Sequence, residues 1–230
     1  MAKQTALQVV NKVLQNLGES SSYTVLTSLS GLALLTFNTM NEVLYELEQD
    51  EHWKPLETNV SLTLGSNTAT YTRPTNLSDF DRKSFRYKTT STITWYTPQR
   101  VDRERINTTY TAGAPEKVWE WMNFLQFYPV PGTAVHGSTV TYRGWINPTV
   151  YDTATPTGTG WVPEGYDLTT FADLVTYKVL HYTNNPEASV YYAKVYGDPQ
   201  NKDGGSLARM KARWRSPEIL DGDNIMVAVI

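Results

Sequence analysis

The sequence has no cysteine, which excludes disulfides and thiolate metal sites. Histidine is scarce. His52, His136 and His181 are scattered, and none falls in a HExxH-like or other ligand-pairing spacing, which argues against a metal centre. There is no GxSxG, no GxGxxG ahead of a helix and no GxxxxGK[ST], so the usual hydrolase, dinucleotide and nucleoside-triphosphate signatures are missing. Charged residues make up only 19 % of the chain and the net charge is −3, which excludes a polycation built to bind nucleic acid over its whole surface. Long hydrophobic runs are also missing. The densest apolar cluster, Gly31 to Phe37, is too short to span a bilayer, and MAKQTALQVVNK reads as polar and amphipathic rather than as a signal peptide.

What is abundant is aromatic, with 15 tyrosines and 7 tryptophans in 230 residues. That length buries a real core, as one large domain or two small ones. Ala6, Leu7, Val10, Val13, Leu14 and Leu17 recur at helical spacing, and Gly18 is a natural stop. After a polar linker, Glu19 to Thr24, a second helix is expected from about Ser28 to Asp50. Phe37, Met40, Val43, Leu44 and Leu47 form its inner face.

The period changes to two after His52-Trp53-Lys54-Pro55. Val60, Leu62 and Leu64 alternate with polar residues, Gly65-Ser66-Asn67 is a turn, and Ala69 and Tyr71 continue a return arm. Further strands are expected at Ile93–Tyr96, Lys117–Met122, Phe124–Tyr128 and Ser138–Trp145, with prolines mostly between them. Thr149 to Gly165, rich in Thr, Gly and Pro, reads as a long exposed loop.

Helical spacing then returns through Phe171, Leu174, Val175, Lys178 and Tyr182. Asn185-Pro186-Glu187 has the form of a helix start, with Val190, Ala193 and Tyr196 following. GDPQNKDGG interrupts this helix, and a last short one is expected over Ser206 to Arg215. Helices at both ends of a contiguous strand block indicate an α+β fold.

Three clusters invite a functional reading. Glu116 and Glu120 could flank a groove as a glycosidase pair, but alternation puts them on one face with Val118 and Met122 and sends Trp119 and Trp121 to the other. Trp95, Tyr96, Trp119, Trp121, Tyr142 and Trp145 suggest either a sugar platform or core and interface packing, and packing is the simpler account. LARMKARWR gathers Arg209, Lys211, Arg213 and Arg215 around Trp214, a pattern that fits a protein-docking anchor better than a DNA contact in an acidic chain.

The order of these parts resembles the head-to-tail adaptor (connector) proteins of tailed bacteriophages, especially the tail tubular protein A-like adaptors of short-tailed phages. The resemblance is carried by LQVVNKVLQNLGE, ELEQDEHW, the strand pair VSLTLGSNTATYTRP, GAPEKVW, the pair FLQFYPVPGTAVHGSTVTYRGW, and YDLTTFADLVTYKVLHYTNNPEASVYYAKVY. It implies a helical bundle from 1–52 and 166–215 and an inserted antiparallel β domain, sandwich or barrel-like, at 53–165. An extended C-terminal arm would occupy 216–230. Tyr128-Pro129-Val130-Pro131-Gly132 would close one strand and turn the chain into the next.

The resemblance further implies a structural virion protein at the head–tail junction, assembled in the host cytoplasm, with no enzymatic activity and no cofactor. Its partners would be itself (a homo-oligomeric ring of about twelve copies), the portal protein and the next tail protein, nozzle or tube. Packaged DNA would pass through the lumen without sequence-specific binding, and no membrane is involved. The portal contact is expected at Arg209, Lys211, Arg213, Trp214, Arg215, Ile225, Val227 and Val229. The loop contact to a neighbouring subunit or the tail is expected at Tyr151 and Trp161. Competing readings are a carbohydrate-binding β module of a tail or surface protein and a hydrolase using Glu116 and Glu120.

If Leu44 and Leu47 are core positions, Leu44→Ala and Leu47→Ala should each lower the unfolding free energy by about 2–5 kcal/mol in urea titrations. A loss well under about 1 kcal/mol at both would place that helix face outside the core.

Overall fold

The computed structural model describes residues 5–19, 23–81, 83–89, 99–100, 112–121, 123–147, 150–154, 166–198 and 204–215. The fold is α+β. Contacts divide it into a helical unit, formed by Met1–Leu56 with Pro148–Ser216, and a β unit that includes Glu57–Asn147. The strand expected at Ile93–Tyr96 lies outside the described residues.

In the helical unit, α1 (Ala6–Asn16) opens on a capping box, Thr5 accepting from the Gln8 amide and Gln8 accepting from the Thr5 amide. Gly18, at φ +80°, lets the Glu19 amide return to the Leu14 carbonyl. α2 (Gly31–Asp50) buries Phe37, Met40, Val43, Leu44 and Leu47 as the spacing predicts, together with Ala33, Thr36 and Thr39. Trp53 follows it, fully buried, its indole N–H donating to the Leu47 carbonyl.

α3 (Tyr166–Tyr182) buries Phe171, Leu174, Val175, Val179 and Leu180. α4 (Ala188–Tyr196) starts later than the sequence suggests. Asn185 spends its side-chain oxygen on the Glu187 amide and its carbonyl on the Ala188 amide, so Asn185-Pro186-Glu187 is a turn. The inner residue of α4 is Val195. Val190, Ala193 and Tyr196, which the spacing placed in this helix, point to solvent.

α5 (Gly205–Trp214) begins where the chain doubles back onto the end of α4. Gly205 sits at φ +62°, and a Cβ there would lie 2.3 Å from the Val195 carbonyl oxygen, so only glycine fits this approach.

The β unit corrects the sequence reading in its pairing. VSLTLGSNTATYTRP is not a hairpin. β1 (Glu57–Thr63) pairs with β10 (Thr139–Ile146), whereas β2 (Thr70–Thr72) pairs with β8 (Phe124–Tyr128) in another sheet. FLQFYPVPGTAVHGSTVTYRGW likewise leaves one sheet with β8 and enters the other with β10.

β10 is the hub of the first sheet. One edge holds β1, with Val60 opposite Tyr142 and Leu62 opposite Val140. The other edge holds β3 (Leu77–Phe80) and then β4 (Arg86–Lys88). The second sheet runs β2–β8–β7–β5, with β7 (Lys117–Trp121) antiparallel to β8 and β5 (Gln99–Arg100) parallel to β7. A third pairing, also parallel, joins β6 (Ala112–Gly113) to β9 (Val130–Pro131). Among the described residues the sheets form no closed barrel, and they are mostly rather than wholly antiparallel.

Both sheets contribute to one core, with Leu77, Phe80, Phe85, Tyr87, Val140 and Tyr142 from the first side and Val118, Leu125 and Phe127 from the second. Phe85 stacks on Tyr142 at 4.6 Å and meets Phe127 edge-on at 6.4 Å. The two crossing corners are tied to each other. The Asn67 amide donates to the Pro131 carbonyl at 2.8 Å, the Ser66 amide to His136 Nδ1 at 3.1 Å, and the Gly137 amide to the Leu64 carbonyl at 2.9 Å.

Burial pushes the Tyr142 phenol from 10.0 up to about 12, with the Arg73 charge opposing and the Glu120 charge adding to the effect. Between these values the unfolded chain releases the proton and the folded chain keeps it, so stability is full below about pH 10 and falls as pH rises toward 12. Thermal melts should therefore show wild type losing more stability than Tyr142→Phe between pH 9.5 and 11.5, about a degree or more in Tm. Parallel losses in the two proteins would contradict the shift.

Candidate docking surface

In the helical unit, α5 projects its charges on two sides. Leu207 and Met210 are buried, and Lys211 lies beside them, its ammonium 2.5 Å from the Asp50 carboxylate at the end of α2. Arg215 reaches Glu51 at 3.1 Å, and its backbone bridges that of Trp53. Two of the residues expected to dock on a partner thus hold α5 against the acidic end of α2. Exposed ion pairs of this kind are worth about 0–1 kcal/mol each, so they position more than they stabilise. Arg209 and Arg213 stand on the opposite side of the helix, exposed, and Trp214 is half-buried. Ile225, Val227 and Val229 lie outside the described residues.

Of the two loop residues, Trp161 also lies outside them. Tyr151 is buried, and Asn41 of α2 grips its backbone twice, accepting from its amide and donating to its carbonyl, both at 2.9 Å. The expectation of an exposed loop therefore fails at Tyr151, because an asparagine on α2 satisfies both backbone groups at once. Asn11 holds Tyr23 in the same way, at 2.8 and 2.9 Å.

A second feature of the helical unit had no counterpart in the sequence reading. Tyr192 and Tyr196 of α4 lie 4.8 Å apart by ring centroids, and both meet Tyr177 of α3 edge-on, at 5.4 and 5.8 Å. Tyr182 donates to Glu42 at 2.5 Å, a bond that raises its pKa, and Lys178 binds Glu46 at 2.6 Å. Burial is the largest single influence on Lys178 and works against its charge, but the bond to Glu46 and the nearby charges of Glu46, Tyr182 and Glu42 together outweigh it and the pKa is raised. Burial also raises Tyr196, helped by the neighbouring Tyr177 and Glu46. All three groups keep their neutral-pH charge state.

In the β unit, some of the groups that suggested catalysis or sugar binding are held in structural roles. Glu120 forms an ion pair with Arg73 at 2.8 Å, and that guanidinium also caps the Leu77 and Ser78 carbonyls. Glu116 is exposed on the other side of Val118. Tyr142 and Trp145 are buried and offer no ring face to a sugar. Trp95 and Tyr96 lie outside the described residues, and Trp119 is half-buried. Among the described residues, no three His, Asp or Glu side chains gather as metal ligands, and no helix is long and apolar enough to cross a membrane.

The arrangement supplies ion pairs, an aromatic surface and clasped loops rather than a catalytic cluster among the described residues. No curated protein matches the chain. The family described as SU10 adaptor protein matches residues 4–217, a stretch that takes in both units. The chain belongs to the SU10 adaptor protein family and is a structural adaptor of the phage particle.

Proposed function

We propose that this adaptor forms a ring between the portal and the tail, extending the DNA channel. The observation that carries the reading is the family match through 4–217, which includes the helices at both ends and the strands between them. The ring has about twelve copies, as in the tail tubular protein A-like adaptors of short-tailed phages that the sequence resembles. Its work is mechanical: it seats the next tail protein and retains packaged DNA until ejection, with DNA in the lumen held by no sequence-specific contact. The bundle of 1–52 and 166–215 would carry the subunit contacts, the loop with Trp161 would meet a neighbour or the tail, and the 216–230 arm would dock on the portal.

The arm proposal draws on composition. Asp221-Gly222-Asp223-Asn224 is turn-rich, and Ile225-Met226-Val227-Ala228-Val229-Ile230 is apolar and β-branched, a segment suited to adding a strand to a partner's sheet. Negative-stain images of purified portal with the full chain should show an added ring layer. Truncation after 216 should leave the melting temperature of the free chain nearly unchanged while binding to the portal falls at least about tenfold. Full binding by the truncated chain would remove the arm from the account, and absence of the added layer with the intact chain would contradict the ring.

A further inference from the structure

The helical unit carries a surface that its own core does not explain. α4 leaves Val190, Tyr192 and Tyr196 exposed at 66, 43 and 37 %. Tyr192 and Tyr196 pack with Tyr177 into one aromatic patch. Tyrosine buries much area at small entropic cost, so a preassembled group of three is well suited to a contact. Beside it opens a groove of about 360 Å³, floored by Leu47, Leu174 and Leu207 and rimmed by Glu46, Asp50 and Tyr196. The rim carboxylates each hold one lysine, Lys178 or Lys211, yet stay about half exposed at 46 and 49 %. A carboxylate has about four acceptor positions, so each can take a further donor.

An aromatic wall with an acidic rim selects a guanidinium. That group is flat and weakly hydrated, stacks on tyrosine, and forks onto a carboxylate in one motion. The unit presents such groups elsewhere on itself. Arg209 and Arg213, four residues apart on α5, project from the side opposite Leu207 and Met210.

We propose that the tyrosine patch and acidic groove of one subunit receive Arg209 and Arg213 from α5 of the next copy. The inference rests on the ring reading above and names the contact that closes it. A ring needs two unlike patches per subunit that complement each other head to tail, and these two differ in charge and in chemistry. Two-fold pairing of the patch with itself would instead set Glu46 and Asp50 against their own copies, which like-charge repulsion disfavours.

The absence of cysteine makes the test clean. Tyr192→Cys and Arg213→Cys are placed together in the full chain, assembled on portal protein and treated with a short bismaleimide. The double variant should give a ladder of dimers, trimers and higher species on a denaturing gel, and each single variant should stay monomeric. Arg209→Glu with Arg213→Glu, compared with wild type at a temperature where circular dichroism shows both chains folded, should lower ring yield roughly tenfold or more. Dimers from Tyr192→Cys alone would overturn the inference in favour of two-fold pairing. An assembled ring with no ladder, or a charge-reversed chain that assembles at wild-type yield, would overturn it while leaving the ring reading intact. If the wild-type chain builds no ring on the portal, the ring reading fails and takes the inference with it.

Discussion

The helical unit depends on the buried carboxylate of Asp173. It is 2 % exposed in the middle of α3, where an unpaired charge would cost several kcal/mol. Lys194 of α4 reaches it at 2.7 Å, and Asn16 at the end of α1 lies 3.5 Å from it and 3.1 Å from Thr176 one turn on. Tyr191 of α4 donates to the Asn16 carbonyl at 3.2 Å. One acid thus fixes the register of three helices drawn from opposite ends of the chain. Lys194 stays half exposed, Val195 is the one buried side chain of α4, and Tyr192 and Tyr196 face outward.

The β unit solves a different problem, joining two sheets without a hairpin at either crossing. Each corner supplies what the other lacks. Pro131 has a carbonyl to offer but no amide, and Asn67 at φ +59° turns its amide toward it. Gly132 and Gly113 approach closely enough that a Cβ on Gly132 would lie 3.3 Å from the Gly113 nitrogen, and their backbones bond at 2.9 Å. Pro129 follows the end of β8, and after the short β9 the chain enters the other sheet, where β10 becomes the hub.

Strong helical periodicity made α1, α2 and α3 legible, because one stripe of apolar residues faces one core. Pairing between strands was not legible. Val60-Ser61-Leu62 and Ala69-Thr70-Tyr71 alternate equally well as a hairpin or as members of two sheets, and only contacts more than 50 residues away decide between them. β3 and β4 went unseen because LSDFDRKSFRYK looks like charged loop. In fact Asp81 turns the chain by accepting from Lys83, and Arg143 closes on its carboxylate. For the candidate surface, the basic stretch on α5 could be read from spacing. Its partners Asp50 and Glu51 could not, since the acidic end of α2 resembles any solvated face. The tyrosine patch went unread for a related reason: Val190, Ala193 and Tyr196 fit helical spacing, but spacing does not say which stripe is inward when a helix buries only one side chain.

A unit with a self-sufficient core and two chemically unlike outer patches is suited to repetition around an axis, and the adaptor family supplies the setting. Cryo-electron microscopy of the head–tail junction in intact particles tests the proposed role most directly. The account predicts a closed ring of this chain between portal and tail, with the same two helical-unit patches meeting at every subunit contact. Density for the chain elsewhere on the particle, or separate copies at the junction that do not touch, would contradict it.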